Sequence, residues 1–431
     1  MLANMYLILF VAFCLFALID FHKAILLYAP LRMFFHPGVC LRYESPAIML
    51  DFACCSVLLA LYVFHRKKRM PNHLILAYLL MLFCYVGAIF ASTYPVMQAV
   101  PPMIGRIAWL LYGYLFFANL NAMKDIRFFH IAYFLCMVLM VGYGMFEYII
   151  QENPVIDYQK AMSPTGMEGM VFGDGHERLG SIRCQSLSAI SISYGAFCII
   201  WICFAIIYSQ FYKKIFSAPI LYGFMCMCVI GAFSSGSKSP FILLLSFLGL
   251  YVFMARGNRK LKTFIITSAV VVAIVFGAFL EDFYMMIVDS SQSSTAGSDI
   301  PMRLMQMAAV GDLLDKHSWL FGLGAKGVMK AQLLNPAVLG AESVWLQLAL
   351  EQGLMGCLAY IVMMISISRY GKSYMNTAKY RIFIIFIISW VLLNTVTSLP
   401  GIDLSFFMCL CFVMVAEEEI KVKTSKLIVR Q

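Results

Sequence analysis

Long apolar runs alternate with short polar breaks along most of the chain, and this alternation is the dominant pattern of the sequence. A helix needs about 20 apolar residues to cross the hydrocarbon core of a bilayer. We therefore predict an all-α, polytopic integral membrane protein in which residues 1–431 form a single membrane domain. About twelve transmembrane helices are expected, near residues 2–20, 46–64, 73–92, 104–120, 128–150, 186–208, 217–233, 240–255, 263–280, 343–366, 382–398 and 402–416.

The connections between these helices differ in length and charge. Most of the thirty-two Lys and Arg residues lie in short loops and the C-terminal tail, which would share one face. The positive-inside rule then predicts that both termini are cytoplasmic and that the two long loops, residues 151–185 and 281–342, are periplasmic. The second loop contains "MRLMQMAAVGDLL", whose spacing predicts a short amphipathic helix on the membrane face. The first periplasmic gap, residues 21–45, could contain an interfacial or re-entrant segment around residues 25–35.

Composition supports a membrane protein and excludes other classes. The chain is 62% hydrophobic and 13% charged, whereas soluble domains are about half apolar and a quarter charged. The net charge of +10 lies in short clusters between apolar runs, which argues against nucleic-acid binding. Many of the fourteen cysteines lie inside apolar runs, and their spacing fits neither a zinc site nor a disulfide framework. No metal or other cofactor is therefore expected.

The charged residues that could carry out chemistry cluster at the expected periplasmic face. The glycine-rich stretch Gly322–Gly327 lacks the spacing of a phosphate-binding loop, and we interpret it as a turn that ends a loop helix. Arginine binds phosphate oxygens in a bidentate manner, and a carboxylate can act as a general base. Each charge alone could equally be an interfacial residue reaching water. The candidate site residues are Arg178, Arg183, Lys238, Arg303 and Glu342.

Two further features concern the helix that follows Glu342. Helical geometry at about 100° per residue places Gly353 and Gly356 near the face of Glu342, where a small-residue strip would let another helix approach closely. Glu351 is expected within the membrane. We interpret it as a structural hydrogen-bonding residue buried away from the outer charges.

Three segments in order resemble the O-antigen ligase and polymerase superfamily, which includes the Wzy-type polymerases. "SSGSKSPFILLL" is similar to the family's T-x-S-R segment, with Lys238 at the Arg position. "MRLMQMAAVGDLLDKHSWLFGLGAKG" is similar to its loop segment, which Arg303 begins and a glycine turn closes. "ESVWLQLALEQGLMG" matches the ligase spacing of His, a small polar residue, nine residues, Gly, two residues and Gly. Here Glu342 replaces the His.

The resemblance implies a glycosyltransferase of the bacterial inner membrane. It would polymerise a surface polysaccharide, such as O-antigen, capsule or exopolysaccharide, from undecaprenyl-diphosphate-linked oligosaccharide at the periplasmic face. Glu342 would be the catalytic base, and the four cationic residues would bind the donor diphosphate. Replacement of the ligase His by Glu342 favours a polymerase over a ligase. The expected partners are the lipid-linked oligosaccharide, the bilayer and a chain-length regulator protein. The alternatives are a ligase of the same superfamily and a secondary transporter or flippase.

Overall fold

The computed structural model describes residues 2–35, 39–42, 48–62, 69–162, 177–178, 181–211, 216–254, 263, 300–338, 343–397 and 403–428. Helices dominate this part of the chain. They are α1 Leu2–Ile19, α2 Phe21–Leu31, α3 Leu50–Tyr62, α4 Asn72–Phe90, α5 Val96–Asn119, α6 Met123–Ile150, α7 Pro154–Met162, α8 Ser191–Phe211, α9 Ala218–Ser234, α10 Ser239–Met254, α11 Ile300–Lys316, α12 Gly327–Leu334, a 3-10 helix Pro336–Val338, α13 Val344–Tyr374, α14 Thr377–Val396 and α15 Leu404–Ile428. Short antiparallel pairs join β1 Cys40–Arg42 to β2 Ile48–Met49 and β3 Glu177–Arg178 to β4 Ser181–Ile182.

The all-α membrane architecture is confirmed. Among the described residues, α4, α5, α6, α8, α13 and α14 are long and apolar enough to cross a membrane, and α1, α3, α9 and α10 contain shorter apolar stretches. A described helix lies at each expected position except 263–280, of which only residue 263 is described. The amphipathic segment of the second loop is α11. The number of spans and the placement of α11 on the membrane face stay predictions.

The core of the bundle forms around α5. This helix packs against α3, α4 and α15, while α13 packs against α4 and α14. A second group forms where α10 lies along α14 and α8, with α9 against α8. Large aromatic side chains, including Tyr112 and Phe116 of α5, are fully buried between the helices. Close van der Waals packing of this kind holds helices together in lipid, where the hydrophobic effect does not.

The bundle has two chemically distinct ends. At the basic end, Lys379 in the first turn of α14 pairs with Glu418 of α15 at 2.7 Å. The turn between α5 and α6 lies at the same end, since Phe117 near the end of α5 packs against Tyr370 of α13. The loop end contains residues 151–162, 183–190, 234–239 and 317–338. These two names are used below for the two ends.

The first two helices form a hairpin that begins at the loop end. Gln159 of α7 donates a hydrogen bond to the Tyr6 hydroxyl at 2.5 Å, which places the start of α1 beside the first long loop. At the other end of α1, His22 lies 2.9 Å from Asp125 at the start of α6. Helix α1 therefore runs from the loop end to the basic end, and α2 returns.

This hairpin differs from the expected arrangement of the termini. Helix α15 ends at the basic end, so the start of α1 and the end of α15 lie at opposite ends of the bundle rather than on one shared face. Residues 21–31, expected within a periplasmic gap, form α2 and pack against α6 inside the bundle. Eleven residues are too short for a span, so the apolar pattern hid this helix. Which end faces the cytoplasm stays a prediction.

Epitope tags test this arrangement. We expect a tag placed directly before Leu2 to be accessible from the same side of the membrane as one inserted at Gln151, because Tyr6 contacts α7. A tag inserted at Ser373, in the last turn of α13, should be accessible only from the opposite side. Protease protection in oriented membrane vesicles measures this. Co-protection of the Leu2 and Ser373 tags would contradict the hairpin.

Helix α13 is broken at Gly353, and a loop fills the break. Gly353 has φ 65° and ψ −161°, outside helical geometry. The Leu354 N–H donates to the Trp319 carbonyl at 2.8 Å, and the Leu323 N–H donates to the Leu350 carbonyl at 2.7 Å. Backbone groups freed by a break at membrane depth must find protein partners. We call residues 319–325 together with residues 350–355 the junction.

Glycine is required on both sides of the junction. A Cβ on Gly322 would lie 2.6 Å from the Ala349 carbonyl oxygen, and one on Gly324 would lie 2.2 Å from the Ser92 nitrogen. The stretch Gly322–Gly327 is thus a turn, as expected, and it closes on a helix that is distant in sequence. A Cβ on Gly353 would meet Leu320, also at the junction.

The close approach at Gly353 is made by a loop rather than by the neighbouring helix that the sequence predicted. The neighbour of Gly353 is the backbone of Leu320, in a loop, and that of Gly356 is the side chain of Gln352 in its own helix. Counting 100° per residue from Glu342 fails because the helix begins at Val344 and changes direction at Gly353.

Gly353→Ala should destabilise the protein. The substitution places a Cβ 2.3 Å from the Leu320 carbonyl carbon in a backbone region that costs other residues about 1–3 kcal/mol. Gly249→Ala in α10 is the matched control, since its Cβ meets nothing within 4 Å, and it should be neutral or slightly stabilising. Thermal unfolding of the detergent-solubilised variants compares them. Equal melting temperatures would show that the junction does not contribute to stability.

Candidate functional site

Arg183 lies on the turn that precedes Lys238. Its Nη2 donates to Ser237 Oγ at 2.8 Å, and its Nε donates to the Ser235 carbonyl at 3.4 Å. Gly236, with φ +58°, leaves room beside it, since a Cβ there would lie 2.9 Å from Arg183 Cγ. The structure thus brings together two segments that the sequence analysis placed in one site, the end of the first long loop and the "SSGSKS" turn.

A buried carboxylate holds the segment that carries Arg183. Glu147, in the last turn of α6, accepts the backbone N–H groups of Gln185 at 3.1 Å and Ser186 at 2.6 Å. Asn153 donates to the Ser186 carbonyl at 2.8 Å. Sequence reasoning missed Glu147, although an acid at the end of an apolar run was a usable signal. Its role is to fix the chain at the loop end so that Arg183 is positioned.

The other candidate residues are described to different degrees. Lys238 is half-buried, and its carbonyl accepts the Phe241 N–H at the start of α10. Arg303 is half-buried on the first turn of α11, a helix that packs against α13. For Arg178 only its place in β3 is described. Glu342 lies outside the described residues.

The first described residue after Glu342 does have a defined position. The Ser343 hydroxyl donates to the Asn394 carbonyl of α14 at 3.3 Å. Helix α14 packs along α10, whose loop end begins next to Lys238. The start of α13 therefore lies at the loop end of α14, in the same layer as the start of α10.

A second set of charges, absent from the sequence-based site, is centred on Arg32. Its guanidinium is only 2% exposed and binds Asp403 in a bidentate manner, at 3.1 and 2.7 Å. It also donates to Ser405 Oγ at 2.6 Å, and its Nε lies 3.3 Å from Asp51. The Trp109 ring covers the guanidinium at 4.9 Å. These contacts join the end of α2 to the starts of α3 and α15, beside Trp109 in the middle of α5.

A third ion pair lies beside the junction. Arg106 of α5 donates to Glu351 of α13, two residues before the break at Gly353. The Arg106 side chain is 31% exposed, whereas Glu351 is 7% exposed. The expectation that Glu351 makes a structural hydrogen bond agrees with this contact, whose partner could not be foreseen.

One comparison with known proteins is positive. Residues 222–361 match the family model described as O-antigen ligase. This segment, about a third of the chain, is similar to the O-antigen ligase family. The O-antigen ligase segment includes most of α9, all of α10 to α12 and the first half of α13. It contains the junction and the candidate residues Lys238, Arg303 and Glu342. No curated protein matches the chain.

The O-antigen ligase match confirms the resemblance found in the sequence. Members of this family are glycosyl-transfer enzymes that include ligases and polymerases, and the apolar helices make this chain a multi-pass membrane protein. Arg183, Glu147 and the Arg32 contacts lie outside the O-antigen ligase segment, in the part of the chain that no family motif covers. The structure therefore adds residues that the family pattern does not contain.

Arg32→Met should be strongly destabilising. It leaves the Asp51 and Asp403 carboxylates without their guanidinium, and breaking a buried ion pair in this way costs about 3–5 kcal/mol. Lys23→Met is the matched control, because Lys23 pairs with Asp20 at the surface, where the two side chains are 52% and 29% exposed, and it should cost about 0–1 kcal/mol. Thermal unfolding measures both. Addition of Asp403→Asn to Arg32→Met should recover part of the loss. Equal melting of the two single variants would contradict a structural role for Arg32.

Proposed function

We propose that this protein polymerises a surface polysaccharide, transferring a glycan from an undecaprenyl-diphosphate-linked donor at the loop end of the bundle. The observation that carries this proposal is the O-antigen ligase segment at 222–361, which holds three of the five candidate residues. It is supported by the contact of Arg183 with Ser237, because this contact brings a cation of the first long loop to the turn before Lys238.

The chemistry is one displacement at the anomeric carbon of the donor. The acceptor sugar hydroxyl forms the new C–O bond, the bond from the anomeric carbon to the diphosphate oxygen breaks, and undecaprenyl diphosphate leaves. Glu342 takes the hydroxyl proton as general base. Arg178, Arg183, Lys238 and Arg303 stabilise the negative charge that develops on the diphosphate. A single displacement inverts the anomeric configuration, and it requires neither a nucleotide nor a metal ion.

A polymerase is proposed over a ligase because Glu342 stands where the ligase pattern has His. Both would use the same donor, and they differ in whether the acceptor is a second lipid-linked repeat or a lipid A–core. A transporter or flippase is disfavoured by the junction. Broken helices in transporters leave backbone groups open for ions, whereas the described groups at Gly353 bond to the chain's own loop.

The setting of this reaction follows from the same proposal. The protein would reside in the bacterial inner membrane with the loop end periplasmic. Its partners would be the bilayer, the lipid-linked oligosaccharide and a chain-length regulator protein. This orientation places the basic end in the cytoplasm, in agreement with the positive-inside rule.

Glu342→Gln tests the proposed base. The variant keeps the shape and hydrogen bonding of the side chain while removing its basicity, so polymerisation should slow by roughly 10²–10⁴-fold. If Glu342 only capped α13, stability would fall by about 1 kcal/mol and the rate would persist. The measurement is polymer length from a purified lipid-linked repeat with the protein in nanodiscs. Full-length polymer at the normal rate would contradict the assignment of Glu342 as the base.

The cationic residues are tested in the same assay. Arg183→Ala should raise the donor KM and lower kcat, because a charge-assisted contact to the diphosphate is lost. Lys124→Ala, an exposed residue at the basic end, is the control and should leave both constants unchanged. Supply of a lipid A–core acceptor in place of the second repeat separates ligase from polymerase.

A further inference from the structure

Three large apolar side chains are exposed together at the loop end. Trp319, Leu320 and Phe321 follow one another in the connection between α11 and α12, and they are 45%, 53% and 40% exposed. Their backbone belongs to the junction, which is held by hydrogen bonds to α13. Contiguous apolar surface on an ordered segment marks an interaction site. We call these three residues the apolar turn.

The apolar turn continues the outer face of α13. The Trp319 carbonyl accepts the Leu354 N–H, and Leu354 itself begins a row of exposed apolar residues on this helix. The row consists of Leu354, Leu358, Ile361 and Ile365. Spacings of three and four residues place such a row on one side of a helix. Since α13 is long and apolar enough to cross a membrane, this side faces lipid.

The depth of the apolar turn follows from the length of α13. From Gly353 to its end at Tyr374 the helix rises about 31 Å. The hydrocarbon core of a bilayer is about 30 Å thick. Because the charged Arg369 and Lys372 lie in the last turns of this stretch, the break at Gly353 lies just inside the loop-end boundary of the hydrocarbon. The apolar turn bonded beside it lies at that boundary.

The polar groups around the apolar turn suit this boundary. Trp319 Nε1 donates to Asp315 at 2.6 Å, so the polar edge of the indole is satisfied on the α11 side. Lys316, Lys326 and Lys330 lie within eleven residues of Trp319 along the chain, where their ammonium groups suit lipid phosphates. Tryptophan with one apolar and one polar side is enriched at membrane interfaces for this reason.

We propose that the apolar turn is a lipid-binding anchor, seated in the bilayer interface among phospholipid acyl chains beside α13. This site is separate from the polar candidate site and does not rest on the proposed function. It fixes the position of the junction relative to the bilayer, because Leu320 and Trp319 bond directly to the first residues after the break.

Quenching of tryptophan fluorescence by brominated lipids tests this proposal. The full chain is placed in nanodiscs whose phospholipids carry bromine near the head of the acyl chain or near its end. The fluorescence of Trp319 is the difference in emission between the wild type and Trp319→Phe. We expect bromine near the head of the acyl chain to quench this difference more than bromine near its end. Trp345→Phe is the matched control. Trp345 packs edge-on against Tyr360, so this variant should keep the component quenched by shallow bromine.

The alternatives give different results. Quenching of the Trp319 component by aqueous iodide and by neither bromolipid would place the apolar turn in water. Protection from iodide and from both bromolipids would mean that a protein partner or another part of the chain covers it. Either result overturns the proposal. Leu320→Asp, which changes the same surface without removing a fluorophore, should shift the Trp319 emission to longer wavelength if the turn lies in lipid.

Discussion

A bilayer provides no water for backbone hydrogen bonding, and the break in α13 shows how this protein meets that constraint. The Leu354 and Met355 N–H groups and the Leu350 carbonyl bond to the loop 319–323, and the loop can approach because Gly322 has no side chain. The same loop bonds to the end of α4, where the Ala325 N–H donates to the Ala88 carbonyl at 2.7 Å. Three parts of the chain that are distant in sequence thereby become one rigid unit, on which the neighbouring charged residues depend for their positions.

The three arginines Arg32, Arg106 and Arg183 differ in how far their side chains are exposed. Arg32 is sealed, with its terminal nitrogens bonded to Asp403 and Ser405, so its contribution is to structure. Arg106 pairs with the buried carboxylate of Glu351, but part of its own side chain is exposed. Arg183 is bound to a turn at the loop end through Ser237, the residue before Lys238. Buried arginine needs complete pairing inside a membrane, whereas a residue that binds a charged substrate needs an open side. The fully paired Arg32 therefore lies apart from Arg183 at the loop end.

The sequence predicted the long helices well because each is an apolar run of nearly one membrane thickness. For α2 it offered only an interfacial or re-entrant piece around residues 25–35, because eleven residues fall below that length. The N-terminus was placed on the wrong side of the bundle as a result. The glycines of the turn at 322–327 were recognisable, but not their partners at Leu350 and Ser92, since long-range contacts leave no periodic signal. Arg183 was selected for its charge alone, and its contact with Ser237 required the closure of a loop. Glu147 stands out as an acid at the end of an apolar run, but the backbone N–H groups that it accepts lie 38 and 39 residues further along the chain and leave no sequence signal. Arg32 was missed because a lone charge at a helix end resembles any interfacial residue.

The pair formed by Arg32 and Asp403 spans 371 residues of sequence. During synthesis, Arg32 emerges from the ribosome long before its principal partner. Until α15 is made, the guanidinium can pair with Asp51 alone, and the helical hairpin that carries it lacks its last support. A chain interrupted before Asp403 would therefore leave a poorly compensated charge among membrane helices, a feature by which a membrane quality-control protease could distinguish unfinished chains from complete ones.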